Sequence, residues 1–266
     1  MTTRDPIPTG APCWVDLTTS DTQRSRDFYC QVFGWTADEP VEEFGGYFNF
    51  SKDGVLIAGG MAKQPDSDTP DAWSVYLTTD DAAKALELAA ESGGTVYVEA
   101  MQVDDLGTMA FVGDAGGAGV GVWQPGQHQG FGLSGQPGTP SWFELHTRDY
   151  EAAVSFYRDV FHWETKVVAD SPEFRYTTLV DGETMLAGIM DASGFLPEGV
   201  PAHWSVYFGV ADADATLDKI VELGGAVVTP AEDTPYGRLA VATDPTGAQF
   251  KLVAPNAAMP AKGASD

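Results

Sequence analysis

Cysteine is almost missing from the 266-residue chain, with only Cys13 and Cys30 present. Two thiols exclude a disulfide framework and argue against a cysteine-ligated zinc centre. Basic residues are scarce too: 14 Lys and Arg stand against 39 Asp and Glu, a formal net charge of −25 at pH 7. A surface this acidic is repelled by phosphate backbones and anionic headgroups, which argues against nucleic-acid and membrane-surface partners. Long apolar runs are lacking, and none approaches the ~18 residues of a membrane span. The opening Met1-Thr2-Thr3-Arg4-Asp5-Pro6 lacks the basic-then-apolar pattern of a signal peptide. Apolar residues nevertheless make up 43% and charged residues 20%, enough to bury a core, so a folded, cytoplasmic protein is expected. At ~150 residues per domain, the length suggests two domains.

What the chain does have is an internal repeat. Pro12-Cys13-Trp14-Val15-Asp16-Leu17-Thr18-Thr19-Ser20-Asp21 returns as Pro140-Ser141-Trp142-Phe143-Glu144-Leu145-His146-Thr147-Arg148-Asp149. Phe28-Tyr29, Phe33 and Trp35 return 128 positions later as Phe156-Tyr157, Phe161 and Trp163. Trp73-Ser74-Val75-Tyr76 and Gly93-Gly94 return as Trp204-Ser205-Val206-Tyr207 and Gly224-Gly225, while Gly107 and Asp114 match Gly237 and Asp244. Landmarks that persist while their offsets drift indicate two homologous halves differing in loop length. Gly126–Gly138, rich in glycine and polar residues, is the predicted linker. The expected layout is a tail over 1–10, domains over 11–125 and 139–255 joined by 126–138, and a tail over 256–266.

Each half follows one order. Alternation predicts a strand over Cys13–Thr19, with Cys13, Val15 and Leu17 on one face and Trp14, Asp16 and Thr18 on the other. A helix follows, opened by Ser20 at capping-box spacing from Gln23, or by Asp149 in the second half. Strands are predicted at Gly46–Ser51, Leu56–Met61, Glu173–Val180 and Met185–Met190. A second strand and helix come next: Ala72–Thr79 with Ala82–Glu91, and His203–Val210 with Ala213–Leu223, closed by the paired glycines. Asp244-Pro245-Thr246-Gly247 predicts the last hairpin turn. Strand, helix and then consecutive strands favour an α+β class.

The motifs Asp21-x6-Phe28-Tyr29-x3-Phe33-Gly34-Trp35 and its copy Asp149-x6-Phe156-Tyr157-x3-Phe161-His162-Trp163, with Tyr236-Gly237-Arg238-x5-Asp244-Pro245-x-Gly247, resemble the vicinal oxygen chelate superfamily. That group includes glyoxalase I, extradiol dioxygenases, fosfomycin-resistance enzymes and bleomycin-resistance proteins. The resemblance spans about Pro12 to Pro255. It implies two tandem glyoxalase-like domains, four βαβββ modules curved into half-barrel sheets with helices on the convex side. It leaves open whether modules pair within a half or across halves. It also places the metal-ligand positions of the group's enzymes on Trp14 and Trp142, near Ser74 and Ser205, and on Gly121 and Lys251. Indole has no usable acceptor, glycine no side chain, and lysine is a cation, so none suits a hard divalent ion. No metal at these positions and no other cofactor is therefore expected, while Glu144, His146 and His203 leave open a metal displaced from the usual site.

The concave face implied by the resemblance carries Trp14, Asp16, Tyr76, Gly121 and Trp123 in the first half, and Trp142, Glu144, His146, His203 and Tyr207 in the second. Phe48 and Tyr176 on the short strands complete the candidate ligand-binding set. Aromatic walls with a few polar tips suit planar aromatic molecules, and Asp16 and Glu144 suit a cationic substituent. The expected function is metal-independent binding or sequestration of an aromatic natural product, as in the bleomycin-resistance branch. A wider resemblance to accessory proteins of anthracycline pathways implies an oxygenase partner, and four modules in one chain imply a monomer. The alternative is a lyase, isomerase or hydroxylase acting on a carbonyl or quinone, with Glu144 and His146 as base and acid and Tyr207 assisting. Plainer roles stand beside these: the tryptophans filling core, the Phe-Tyr pairs packing helices, His162 closing a helix, and His128 exposed in the linker.

Overall fold

The computed structural model describes residues 7–257. Most of both expected tails lies outside the described residues. The first half runs β1 (Pro12–Thr19), α1 (Thr22–Phe33), β2 (Thr36–Ala37), β3 (Phe48–Lys52), β4 (Val55–Ala62), β5 (Ala72–Thr78), α2 (Ala82–Glu91), β6 (Thr95–Val103), β7 (Gly107–Gly113) and β8 (Gly119–Pro125). The second repeats it as β9 (Pro140–Thr147), α3 (Tyr150–Phe161), β10 (Thr165–Asp170), β11 (Arg175–Asp181) and β12 (Thr184–Asp191). It ends with β13 (His203–Gly209), α4 (Ala213–Glu222), β14 (Ala226–Thr234), β15 (Gly237–Thr243) and β16 (Gln249–Ala254). The strands form two eight-stranded sheets, ordered β2-β3-β4-β1-β5-β8-β7-β6 and β10-β11-β12-β9-β13-β16-β15-β14. Each sheet therefore draws its strands from one half of the sequence, in an α+β arrangement of two tandem domains.

The helices start where short polar side chains can satisfy the free amides of a first turn. Asp21 accepts from the Arg24 amide at 3.0 Å, Asp81 from Lys84 at 2.9 Å and Asp212 from Ala215 at 3.0 Å. The α1 cap is thus Asp21 rather than the expected Ser20, whose hydroxyl and amide bond Asp71 instead. Asp149 occupies the cap position of α3 without a side-chain cap bond. His162 ends α3 at φ +57°, where Gly34 ends α1 at φ +69°. That left-handed backbone strains a side chain that glycine avoids.

The residues divide into two compact units, and each takes segments from both halves. The first comprises the described residues up to Val15, with Ser74–Gly132 and Trp142–Ser205. The second comprises Asp16–Trp73, Leu133–Ser141 and the described residues from Val206 onward. The repeated aromatics build both cores. In the first unit, Trp204 Nε1 donates to the Tyr157 hydroxyl at 2.8 Å, and that hydroxyl donates to Asp114 at 3.1 Å. In the second, Trp73 Nε1 donates to the Tyr29 hydroxyl at 2.9 Å, which donates to Asp244. Burial, and then the adjacent carboxylate, push both phenols well above their ordinary pKa. Asp114 also receives the Gly116 and Ala118 amides at 2.8 and 2.9 Å, and Asp244 holds Thr246 and Ala248 in the same way. The repeated Phe-Tyr, Trp and Asp landmarks are one structural device, present twice.

Candidate functional site

Within each sheet, β1 pairs β4, β5 pairs β8, β9 pairs β12 and β13 pairs β16, all parallel. Their registers set candidate residues against defined partners: Asp16 against Gly59, Tyr76 against Gly121, Glu144 against Gly188, and Tyr207 against Lys251. Three of the four partners are glycines, and a tyrosine ring fills the space each leaves. Tyr47 covers Gly59, Tyr176 covers Gly188 and Tyr76 covers Gly121, so a Cβ at any of the three would overlap the ring. The fourth position carries a buried lysine in place of glycine.

The densest arrangement lies in the first unit, on β9, β11 and β13. Trp142 Nε1 donates to the Tyr176 hydroxyl at 3.0 Å, and that hydroxyl donates to Glu144 Oε2 at 2.8 Å. His146 Nε2 stands 2.7 Å from Glu144 Oε1. A carboxylate only accepts, so Nε2 of His146 is the donor of this contact. The His203 ring lies 5.4 Å from that of His146, and its Nδ1, 3.0 Å from the Pro201 carbonyl, is the donor of that contact. Strand alternation explains the grouping: Trp142, Glu144 and His146 are two residues apart and share one face of β9. Glu144, His146 and Tyr176 are buried, while Trp142 and His203 are half-buried. Chemically, the array couples a carboxylate to an imidazole and a phenol beside a half-open indole.

The matching first-half residues of this unit are arranged differently. Trp14 is 4% exposed, with the His128 ring edge-on at 4.4 Å and Phe131 near-parallel at 5.8 Å. Trp123 joins the same group, 5.5 Å from His128 and donating through Nε1 to its carbonyl at 3.0 Å. The predicted linker is thus packed: Phe131 is buried, and His128 is half-buried rather than exposed, with burial lowering its pKa. Trp14 packs against the His128 and Phe131 rings, whereas among the described residues no aromatic ring packs on Trp142. Tyr76 lies over Gly121 and meets Phe111 edge-on at 6.1 Å.

In the second unit, the Tyr47 hydroxyl donates to Asp16 Oδ1 at 2.7 Å. This reproduces the Tyr176–Glu144 bond, and the spacing Tyr47-x11-Gly59 equals Tyr176-x11-Gly188. Tyr47, not Phe48, is therefore the counterpart of Tyr176. Phe48 is fully buried against Gly60 and Phe50 and belongs to the core. The Ala-Gly-x-Met repeat at 58–61 and 187–190 is the signal that identifies Tyr47. Tyr207 and Lys251 also lie in this unit, the buried ammonium donating to the Tyr207 hydroxyl at 3.0 Å and lying 4.7 Å from its ring centroid.

The model of the Glyoxalase/Bleomycin resistance protein/Dioxygenase superfamily matches residues 13–122 and 139–252. The chain belongs to this superfamily. Among its superfamily relatives, CFP32 of Mycobacterium tuberculosis, named as a glyoxylase, is 36% identical over 254 residues, covering 92% of this chain and 95% of CFP32. The anthracycline biosynthesis protein DnrV of Streptomyces peucetius is 38% identical over 260 residues, covering 92% and 93%. Among solved structures, an Mn(II)-bound glyoxalase from Novosphingobium aromaticivorans superposes with a TM-score of 0.63 at 16% identity, over 92% of this chain and 82% of that one. At that identity the likeness is one of fold.

The superfamily's metal enzymes prompt a test of whether this chain could hold their ion. At the corresponding positions Trp142 presents a donor N–H already given to Tyr176, the Gly121 backbone lies under the Tyr76 ring, and Lys251 presents an ammonium. Among the described residues no group of three or more His, Cys, Asp or Glu side chains is placed to hold a metal ion. The residues at these positions do not fit that ion.

Proposed function

We propose that this superfamily member is a small-molecule-binding protein that needs no resident metal. It holds a planar aromatic compound against Trp142, Tyr176, Glu144, His146 and His203, in an accessory or resistance role in secondary metabolism. The observation carrying the reading is the hydrogen-bonded run from the half-buried Trp142 through Tyr176 to Glu144 and His146. A rigid indole with polar groups fixed behind it recognises a flat ring and its hydroxyl or carbonyl substituents. The 38% identity to DnrV supports the setting. Titration of the purified protein with daunorubicin and with quinizarin, followed by ligand fluorescence, tests it. Saturable binding weakened about tenfold by Trp142→Ala is expected, from a lost stack of ~0.5–1.5 kcal/mol plus buried area. No binding across planar aromatics overturns the reading. Comparing daunorubicin with its sugar-free ring system shows whether Glu144 favours an amino substituent.

A second reading has one specific observation behind it. The Glu144–His146 contact at 2.7 Å is the geometry of an oriented acid–base pair. A glyoxalase-like lyase or isomerase acting on a carbonyl or quinone would use it, in keeping with the name of CFP32. Turnover of methylglyoxal with glutathione, abolished in Glu144→Gln, would favour this reading over simple binding.

A further inference from the structure

The loop between β12 and β13 has features that the binding array does not itself require. It spans eleven residues, 192–202, against nine at 63–71 in the first half, and only the longer loop carries an aromatic residue, Phe195. Phe195 is 55% exposed, yet its ring meets His146 edge-on, centroids 5.7 Å apart. An exposed phenylalanine alone means little. This one lies against the buried imidazole of the candidate site on a turn in which the Phe195 and Leu196 amides donate to the Ala192 carbonyl at 3.2 and 2.9 Å, and one side chain ties the far part of the loop down. Arg148, two residues beyond His146, donates to the carbonyls of Leu196 at 2.9 Å, Pro197 at 2.7 Å and Val200 at 2.7 Å. A guanidinium's fixed fork can hold several carbonyls in one geometry, so the loop is clamped at Pro197 and on either side of it. In the first half, Thr18 stands where His146 does and Ser20 where Arg148 does, and Ser20 bonds Asp71. Imidazole, aromatic loop residue and clamp therefore occur together, in the second half alone.

We infer that the 192–202 loop is the ligand-discriminating wall of the second-half site. Phe195 grips a flat aromatic ring from the solvent side, beside His146 and His203, and Arg148 sets how readily the wall opens. The inference rests on the binding reading above and adds the residue that selects the ligand. Most of a bound ring's contact with Phe195 would be lost on release, so the effect belongs mainly in the dissociation rate.

Stopped-flow kinetics with quinizarin on the full-length protein test this. Phe195→Ala should release quinizarin about tenfold faster with an unchanged melting temperature, because the ring packs little of the core. Phe195→Trp should restore slow release. Arg148→Met should speed both association and release, since the wall then opens more readily about the backbone bonds at Ala192 that remain. Wild-type protein that binds quinizarin while Phe195→Ala releases it at the wild-type rate overturns the inference and leaves the binding reading standing. A melting temperature lowered by several degrees in Phe195→Ala also overturns it, because the ring would then be a structural prop. Wild-type protein that binds neither quinizarin nor any other planar aromatic overturns both, and wild-type protein that binds daunorubicin but not quinizarin is put through the same release kinetics with daunorubicin, where the same outcomes decide.

Discussion

Asp71 illustrates how much a single carboxylate can hold in place. It precedes β5 and receives the Ser20 amide at 2.7 Å, the Ser20 hydroxyl at 2.6 Å and the Lys63 ammonium at 3.0 Å. Burial alone would raise its pKa, but the bonds from Ser20, Lys63 and Thr246 outweigh burial and hold it at about 2. The folded value lies below the unfolded one near 3.8. Its contribution to stability is therefore complete above the unfolded pKa and is lost as pH falls through the folded one. Asp71→Asn should lower stability by about 1–2 kcal/mol at pH 7. The gap from wild type should close as pH drops from 4 toward 2. Denaturant melts at pH 7, 4 and 3 read this directly, and a gap that is constant with pH would assign the loss to shape rather than charge.

At the scale of single strands, β12 shows how a missing side chain builds a site. Gly188 faces Glu144 across the parallel ladder, and the Tyr176 ring occupies the space a Cβ would need. Gly188→Ala should push Tyr176 off Glu144 and free the Trp142 N–H, while the β9–β12 backbone pairing tolerates alanine. The expected result is weaker binding of a planar aromatic by about tenfold or more, from the lost pair of hydrogen bonds, with the protein still folded by circular dichroism. Unaltered binding would show that the tyrosine is incidental. This device was only partly legible in the sequence. Trp142, Glu144 and His146 announce themselves by strict alternation, and the repeat marks the helices, because their apolar stripes recur with the same landmarks. Tyr47 hides beside Phe48, since a one-residue shift moves a strand side chain to the opposite face and only the Gly59 and Gly188 spacing fixes the register. The outer strands β6, β10 and β14 escape notice for another reason. They are exposed on both faces and interrupted by register shifts, so no alternation of apolar and polar residues survives. The linker misleads in a third way, because its glycines and glutamines conceal Phe131 and His128, two rings that pack on Trp14.

For the molecule as a whole, sequence repeat and compact unit follow different partitions. Each sheet is made by one half, but each unit's core needs both. Asp114 of the first half is the acceptor for Tyr157 of the second, and Asp244 of the second half is the acceptor for Tyr29 of the first. Phe28 meets Phe250 at 6.3 Å, Phe33 meets Phe208 at 5.1 Å, and the Trp35 indole donates to the Gly138 carbonyl at 2.6 Å. A chain cut between the halves, into 1–132 and 133–266, would leave Asp114 and Asp244 buried without their phenols and would expose these ring faces to water. Unpaired buried acceptors cost ~1–3 kcal/mol each, and each uncovered aromatic side chain forfeits a further ~1.5–3 kcal/mol of burial, against a total stability of only ~5–15 kcal/mol. Neither half should therefore persist as a folded monomer. Because the halves are homologous, a single half can cover its faces only with another copy of itself, with the Asp–Tyr pairs supplied between chains. Sedimentation of each separate half should show a self-paired dimer or an aggregate. Mixing the two should yield a 1:1 complex that melts cooperatively and regains binding of planar aromatics. A folded, monomeric first half would mean that the cores do not depend on the pairing of Tyr29 with Asp244 and Tyr157 with Asp114, and that the tandem fusion joins two self-sufficient domains.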